Sequence, residues 1–113
     1  MVNQSFAVPT IDGKLCAHFG HCENFAIVAV ENDKIISETF VAPPVHQPGT
    51  YPNFLAEMGV NTIITGGMGP KAQDIFTQNN IEVYLGVELK EPKELVKDYL
   101  DSKLISGENQ CDH

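Results

Sequence analysis

Four residues with metal-binding side chains fall within seven positions near the start of the chain: Cys16-x-His18-x-x-His21-Cys22. Thiolate sulfur and imidazole nitrogen together suit zinc, copper, nickel or an iron–sulfur species. Gly20 lets the backbone turn tightly enough to bring neighbouring side chains together. Spacing this short rarely lets all four donors reach one ion, so two or three ligands from this loop is the expectation. Singly, each residue is ordinary, a small buried thiol or a loop imidazole. Clustered, they predict contact with a metal or a cluster.

Three further features could add to such a site. His46 stands alone in Pro44-Val45-His46-Gln47-Pro48-Gly49, where flanking prolines lower the entropy cost of holding one side chain in place. The chain ends on Cys111-Asp112-His113, three potential ligands that are able to fold back over the loop. Gly66-Gly67-Met68-Gly69-Pro70 reads as a turn from a strand into a helix. Its glycines permit close backbone approach, and N–H groups at a helix start favour an anion, so Gly66, Gly67, Met68 and Gly69 are the expected cofactor-binding residues. The turn lacks the Lys-Ser/Thr ending of a P-loop and the spacing of a dinucleotide fingerprint, which argues against nucleotide hydrolysis. No G-x-S-x-G elbow, no H-E-x-x-H helix and no suggestive carboxylate pair occurs, so an enzyme is not expected.

Composition narrows the partners. The chain has 113 residues, 42% hydrophobic and 19% charged, which fits one packed domain. Seven basic against fifteen acidic residues give a net charge of −8, and the basic ones are scattered. Such a field repels nucleic-acid phosphate and anionic membranes, so neither is an expected partner. No apolar stretch approaches the roughly 20 residues needed to cross a bilayer. Met1 to Pro9 lacks the pattern of a signal peptide. Three cysteines, two of them close to histidines, then favour reduced thiols available to metal, and a cytoplasmic location is the default.

The elements that would position these residues can be read from period and punctuation. Ser5 to Val8 alternates and meets Pro9, predicting a short first strand that stops there. Asn24 to Val30 is a buried strand, Glu31-Asn32-Asp33 a turn, and Lys34 to Val41 the second arm of an antiparallel hairpin. Prolines and Gly49 forbid regular structure over most of 42–50. Tyr51, Leu55 and Met58 recur at helical spacing, with Gly59 as the stop. Thr62 to Thr65 is a β-branched strand; Ala72, Ile75 and Phe76 mark a helix closed by Asn79-Asn80; Ile81 to Leu85 is the last strand. Pro92 opens a third helix whose apolar stripe is Leu95, Val96, Tyr99 and Leu100. A hairpin followed by strand–helix–strand predicts a five-stranded mixed sheet in a three-layer α/β domain over 1–106, with 107–113 as a tail.

These residues together resemble a known family. His18-Phe19-Gly20, the hairpin after it, Ile63-Ile64-Thr65-Gly66-Gly67-Met68-Gly69 and a last strand ended by Gly86 resemble the dinitrogenase iron-molybdenum cofactor biosynthesis family. That family includes NifX-like accessory proteins and the C-terminal domain of NifB. The resemblance runs from Val2 through Leu100, and stand-alone members often carry a histidine before a Pro-Gly pair, as His46 is here, and a Cys-Asp-His tail. It implies a ribonuclease H-like three-layer fold, sheet order 3-2-1-4-5 with strand 2 antiparallel and about three helices. It also implies an accessory protein that binds or carries iron-molybdenum cofactor precursors or a related metal or metal-sulfur cluster of the Fe-S, Mo-Fe-S or Mo-Cu type; a cluster-donor or acceptor protein is a candidate partner. The expected metal ligands are Cys16, His18, His21, Cys22, His46, Cys111 and His113. The competing expectation is a metal-responsive regulatory or partner-binding domain without cluster transfer.

Overall fold

The computed structural model describes residues 3–15, 23–42, 50–85, 87 and 90–101. In chain order the elements are β1 (Asn3–Ile11), β2 (Lys14–Leu15), β3 (Asn24–Glu31), β4 (Lys34–Val41), α1 (Thr50–Glu57), β5 (Thr62–Ile64), α2 (Pro70–Gln78), β6 (Glu82–Tyr84) and α3 (Pro92–Leu100). The sheet runs β4-β3-β1-β5-β6, with β2 paired to β1 off that path. Setting β2 aside, this is the expected order 3-2-1-4-5. β3 is antiparallel to both its neighbours, while β5 lies parallel to β1 and to β6.

Two departures from the sequence reading have physical causes. A sixth strand of two residues pairs Thr10 with Leu15 and Ile11 with Lys14 across Asp12-Gly13. Both turn residues take positive φ, 54° and 81°, as a two-residue hairpin loop matched to strand twist requires. Asn32-Asp33 repeats the device between β3 and β4, at 53° and 64°. The first strand also does not stop at Pro9 but continues to Ile11. Ser5 exchanges backbone hydrogen bonds with the Asn61 side, accepting from the Asn61 N–H at 2.8 Å and donating to its side-chain oxygen at 2.9 Å. The two-residue period places Pro9 on that same side. The last β1–β5 pair is Ala7 with Ile63, so the missing proline donor falls beyond the ladder and disrupts nothing.

Alternation along the strands divides the core into two layers. Phe6, Val8, Val28, Val30 and Ile64 point to one face, where Leu95 and Val96 of α3 cover them. Ala7, Phe25 and Ile63 point to the other, beneath Tyr51 and Leu55 of α1 and Phe76 of α2. The first face carries a ladder of edge-on rings: Tyr99 packs against Phe6 at 4.9 Å and against Tyr84 at 5.5 Å between centroids.

α1 ends where the sequence expects it, and the reason is visible. Gly59 sits at φ +80°, its N–H donates to the Ala56 carbonyl at 3.1 Å, and Val60 N–H reaches back to the Leu55 carbonyl at 3.3 Å. This pair of bonds is a Schellman cap, and Val60 packs into the same core layer as Leu55. An alanine there would hold a left-handed conformation that costs side-chain-bearing residues about 1–2 kcal/mol. Gly59→Ala is therefore expected to lower unfolding free energy by about 1 kcal/mol, measured by urea titration at unchanged slope.

Candidate functional site

Strand direction decides what meets at the sheet edges. β1 ends at Thr10-Ile11, and antiparallel β3 begins beside it, with Thr10 opposite Asn24. β4 finishes at the same edge, since Val41 lies opposite Phe25. β5 and β6, parallel to β1, also finish there, with Ile64 opposite Tyr84. The described flanks of segments 16–22, 43–49 and 86–89 and the whole Gly66–Gly69 turn therefore line one edge. Ligand sites of open α/β sheets form at such carboxyl ends.

Thr10, buried at 1% exposure, anchors both ends of segment 16–22. Leu15 is its register partner on one side. On the other, the Glu23 N–H donates to the Thr10 carbonyl at 2.8 Å, and the Thr10 hydroxyl donates to the Asn24 carbonyl at 2.9 Å. The Glu23 carboxylate accepts the Asp12 N–H at 2.8 Å, tying the β1–β2 turn to the same point. Leu15 N–H also donates to the Lys90 carbonyl at 2.9 Å, so the approach to α3 is stitched to the residue before Cys16. Lys90 in turn forms an ion pair with Asp98 at 3.3 Å.

The Gly66–Gly69 turn is held from both sides. Thr65 is fully buried; its N–H donates to the Tyr84 carbonyl at 3.0 Å and its hydroxyl to the Gly67 carbonyl at 3.4 Å. From α2, the Gln73 side-chain amide donates to the Met68 carbonyl at 3.0 Å, and the Gln73 N–H to the Gly69 carbonyl at 3.3 Å. Met68 is 1% exposed with its side chain in the α1/α2 core layer, so that side chain is not offered to a ligand. Gly69 caps α2 at φ −69° and ψ 158°, a conformation open to any residue, and an added Cβ would meet nothing within 4 Å. Neither backbone strain nor packing explains that glycine.

Of the residues singled out in the sequence, Gly66, Gly67, Met68 and Gly69 are described and lie together on this edge. Cys16, His18, His21, Cys22, His46, Cys111 and His113 lie outside the described residues. Among the described residues no three His, Cys, Asp or Glu side chains group to hold a metal ion, and no helix is long and apolar enough to cross a membrane. The sequence reading passed over Thr10 and Gln73, and named Thr65 as a strand end and part of the family motif without giving it a role. A threonine at a strand end or a glutamine one turn into a helix carries no pattern that distinguishes it.

Tyr84, at the end of β6, is the described group whose titration is displaced. Its phenol is pushed up to about 12, first by burial, then by repulsion from Tyr99 and from Glu82, with hydrogen bonds to the same two residues adding to the effect. The Tyr84 hydroxyl donates to Glu82 Oε2 at 3.2 Å. A phenol whose folded pKa exceeds its unfolded value stabilises the fold below that unfolded value, near 10, and the contribution disappears as pH rises to about 12. Wild-type protein should therefore lose stability between pH 10 and 12 more steeply than Tyr84→Phe. Urea midpoints for the two, measured across that window, test it; parallel curves would mean that Tyr84 does not sense the fold.

Known proteins place this arrangement. An uncharacterised protein of Methanocaldococcus jannaschii, MJ0580, is 39% identical over 103 residues, covering 87% of this chain and 86% of the relative. The crystal structure of PH0822 superposes with a TM-score of 0.86 at 25% identity, covering 97% of this chain and all of the other. The apo form of the orange protein from Desulfovibrio gigas shares the fold, with a TM-score of 0.76 at 23% identity over 94% of each chain. Residues 4–102 match the family model described as dinitrogenase iron-molybdenum cofactor. That match spans both core layers, the Gly66–Gly69 turn and the strands that bracket it, and on it this chain belongs to the dinitrogenase iron-molybdenum cofactor family.

Proposed function

We propose that this protein binds and carries a metal or metal-sulfur cluster as an accessory protein, taking it at the edge where β1, β4, β5 and β6 end. The observation that carries the reading is that shared edge. Had the Gly66–Gly69 turn opened at the edge opposite Leu15 and Glu23, the cysteine-histidine segment and the turn would have been unrelated features. In the proposed site Cys16, His18, His21 and Cys22 supply the first ligands, with His46 reaching in from the segment after β4. Gly69, partly exposed, supplies main chain at this edge, and the buried Gly66, Gly67 and Met68 form the turn beneath it. Cys111 and His113 join from the tail. Reach permits this: Cys111 is ten residues past Asp101, up to about 33 Å of extended chain, longer than the roughly 30 Å of nine-residue β1.

Membership of a cofactor-related family supports a role in handling such a cargo, and the donor set suits its chemistry. Thiolates and imidazoles favour Fe-S, Mo-Fe-S or Mo-Cu species over hard oxygen-loving ions. A carrier needs no catalytic base. It needs ligands that release, and a donor or acceptor protein to exchange with.

Anaerobic metal analysis and an absorption spectrum, on protein purified without a metal-affinity tag, test the reading. Stoichiometric iron, molybdenum or copper with visible charge-transfer absorption, released to a chelator, is the expected result. One colourless zinc per chain, with a change in oligomeric state on its removal, would instead favour a metal-responsive regulatory domain. No metal after reconstitution with iron and sulfide or with tetrathiomolybdate would overturn both.

A further inference from the structure

We propose that Gln73 is a positioning residue for the cargo: it fixes the Met68–Gly69 peptide so that the amide of Gly69, not the carbonyl of Met68, faces away from α2 on the glycine turn. The inference rests on the metal-cargo reading above and adds a residue that its ligand set does not contain.

A peptide unit is planar and trans, so its C=O and N–H point in opposite directions. The Gln73 amide holds the Met68 carbonyl at 3.0 Å, which sends the Gly69 N–H to the opposite side of that peptide. The peptide flanking it is held in the same sense, because the Gln73 backbone N–H takes the Gly69 carbonyl at 3.3 Å. One glutamine thus secures two successive carbonyls, the first through its side chain and the second through its main chain. On the strand side Thr65 takes the carbonyl before them, that of Gly67, through its hydroxyl at 3.4 Å.

Such anchoring matters most in a glycine-rich turn. Glycine visits both signs of φ at little cost, so an unanchored Met68–Gly69 peptide is free to flip and exchange its N–H for its C=O. The two orientations treat a cargo differently. Thiometallates and sulfide-bridged clusters are anions whose surface atoms accept hydrogen bonds; an amide attracts them and a carbonyl oxygen repels them. Gly69 adds an independent observation. Its backbone conformation is ordinary and the space where a Cβ would stand is open, so the missing side chain serves neither fold nor turn. It leaves room for close approach beside the amide that Gln73 orients.

The experiment compares wild type, Gln73→Leu, Gln73→Glu and Asn79→Ala, each loaded anaerobically with tetrathiomolybdate. The readouts are retention after gel filtration, the rate of release to a chelator, and the thermal midpoint. Asn79 is the control. Its side-chain amide donates to the Ile75 carbonyl at 2.8 Å at the other end of the same helix, so its loss removes a comparable bond away from the turn. Gln73→Glu keeps the length of the side chain but, when ionised, cannot donate, which covers the case in which the leucine variant folds poorly. The expected result is release faster by roughly tenfold in both Gln73 variants, the effect of losing one hydrogen bond of about 1.4 kcal/mol, with Asn79→Ala releasing at the wild-type rate. Wild-type release from both Gln73 variants, or equal acceleration in Asn79→Ala, overturns the role of Gln73 and leaves the carrier reading standing. Failure of the wild type itself to take up tetrathiomolybdate or iron and sulfide overturns both.

Discussion

A Cys22→Ala, Cys111→Ala double variant should emerge from anaerobic reconstitution with iron and sulfide nearly colourless. Its iron retention should fall roughly a hundredfold, since losing even an outer-shell partner of a bound metal costs up to that much. The physical reason is ligand softness. Thiolate is the protein donor that iron–sulfur species select, and the double variant keeps only Cys16 together with the imidazoles of His18, His21, His46 and His113. Those imidazoles still suit zinc, so zinc retention should fall much less than iron retention. The metal-free variant should unfold at the wild-type midpoint, which separates ligand loss from damage to the fold. Full iron and full colour in the double variant would remove these two thiolates from the site and leave Cys16 and the histidines to account for binding.

The second large effect is expected in the scaffold. Phe25 is fully buried where β3 meets α1, with its ring 5.3 Å from Tyr51 edge-on and 6.3 Å from Phe54. Phe25→Ala should cost about 3–5 kcal/mol, the sum of lost apolar transfer and the cavity left between sheet and helix. Domains of this size hold only about 5–15 kcal/mol in all, so the variant should sit close to unfolding at room temperature. A urea titration reads this as a midpoint shifted far down at nearly constant slope. Phe25→Leu, which keeps much of the volume, should lose clearly less. A loss below about 1 kcal/mol in Phe25→Ala would mean that α1 is not anchored through this ring, given what such truncations ordinarily cost. Phe25 is also the register partner of Val41, the end of β4 before segment 43–49. Loosening α1 from it should therefore weaken cargo retention as well, through the segment that carries His46.

Much of the architecture is legible in the residues because its causes are local. The Lys34–Val41 strand, the α3 start at Pro92 and the α1 stop at Gly59 coincide with the sequence reading. Each follows from β-branched alternation, a proline suited to a first turn, or a glycine suited to positive φ. The two-residue strand β2 escaped notice because two positions cannot display a period, although Asp12-Gly13 between Ile11 and Lys14 carries the hairpin signal. Pro9 misled for a different reason. Whether a proline ends a strand depends on which neighbour its missing N–H would face, and that neighbour, β5, lies more than fifty residues away.

The candidate site divides along the same line. Residue chemistry by itself determined which side chains can bind metal, that the chain's net negative charge repels nucleic acid, and that a glycine turn joins β5 to α2. Tertiary structure alone decided that the turn and the flanks of the cysteine-histidine segment share an edge. That depends on β1 and β5 running parallel while β3 runs against them, a relation between strands that no single stretch of chain encodes. It also decided that Met68, which reads as part of an open turn, sends its side chain into the core, and that Thr65 and Gln73 hold the turn's carbonyls. A hydrogen bond between a side chain and a backbone carbonyl requires an angle and a distance near 3 Å, and a sequence carries neither until the chain has folded.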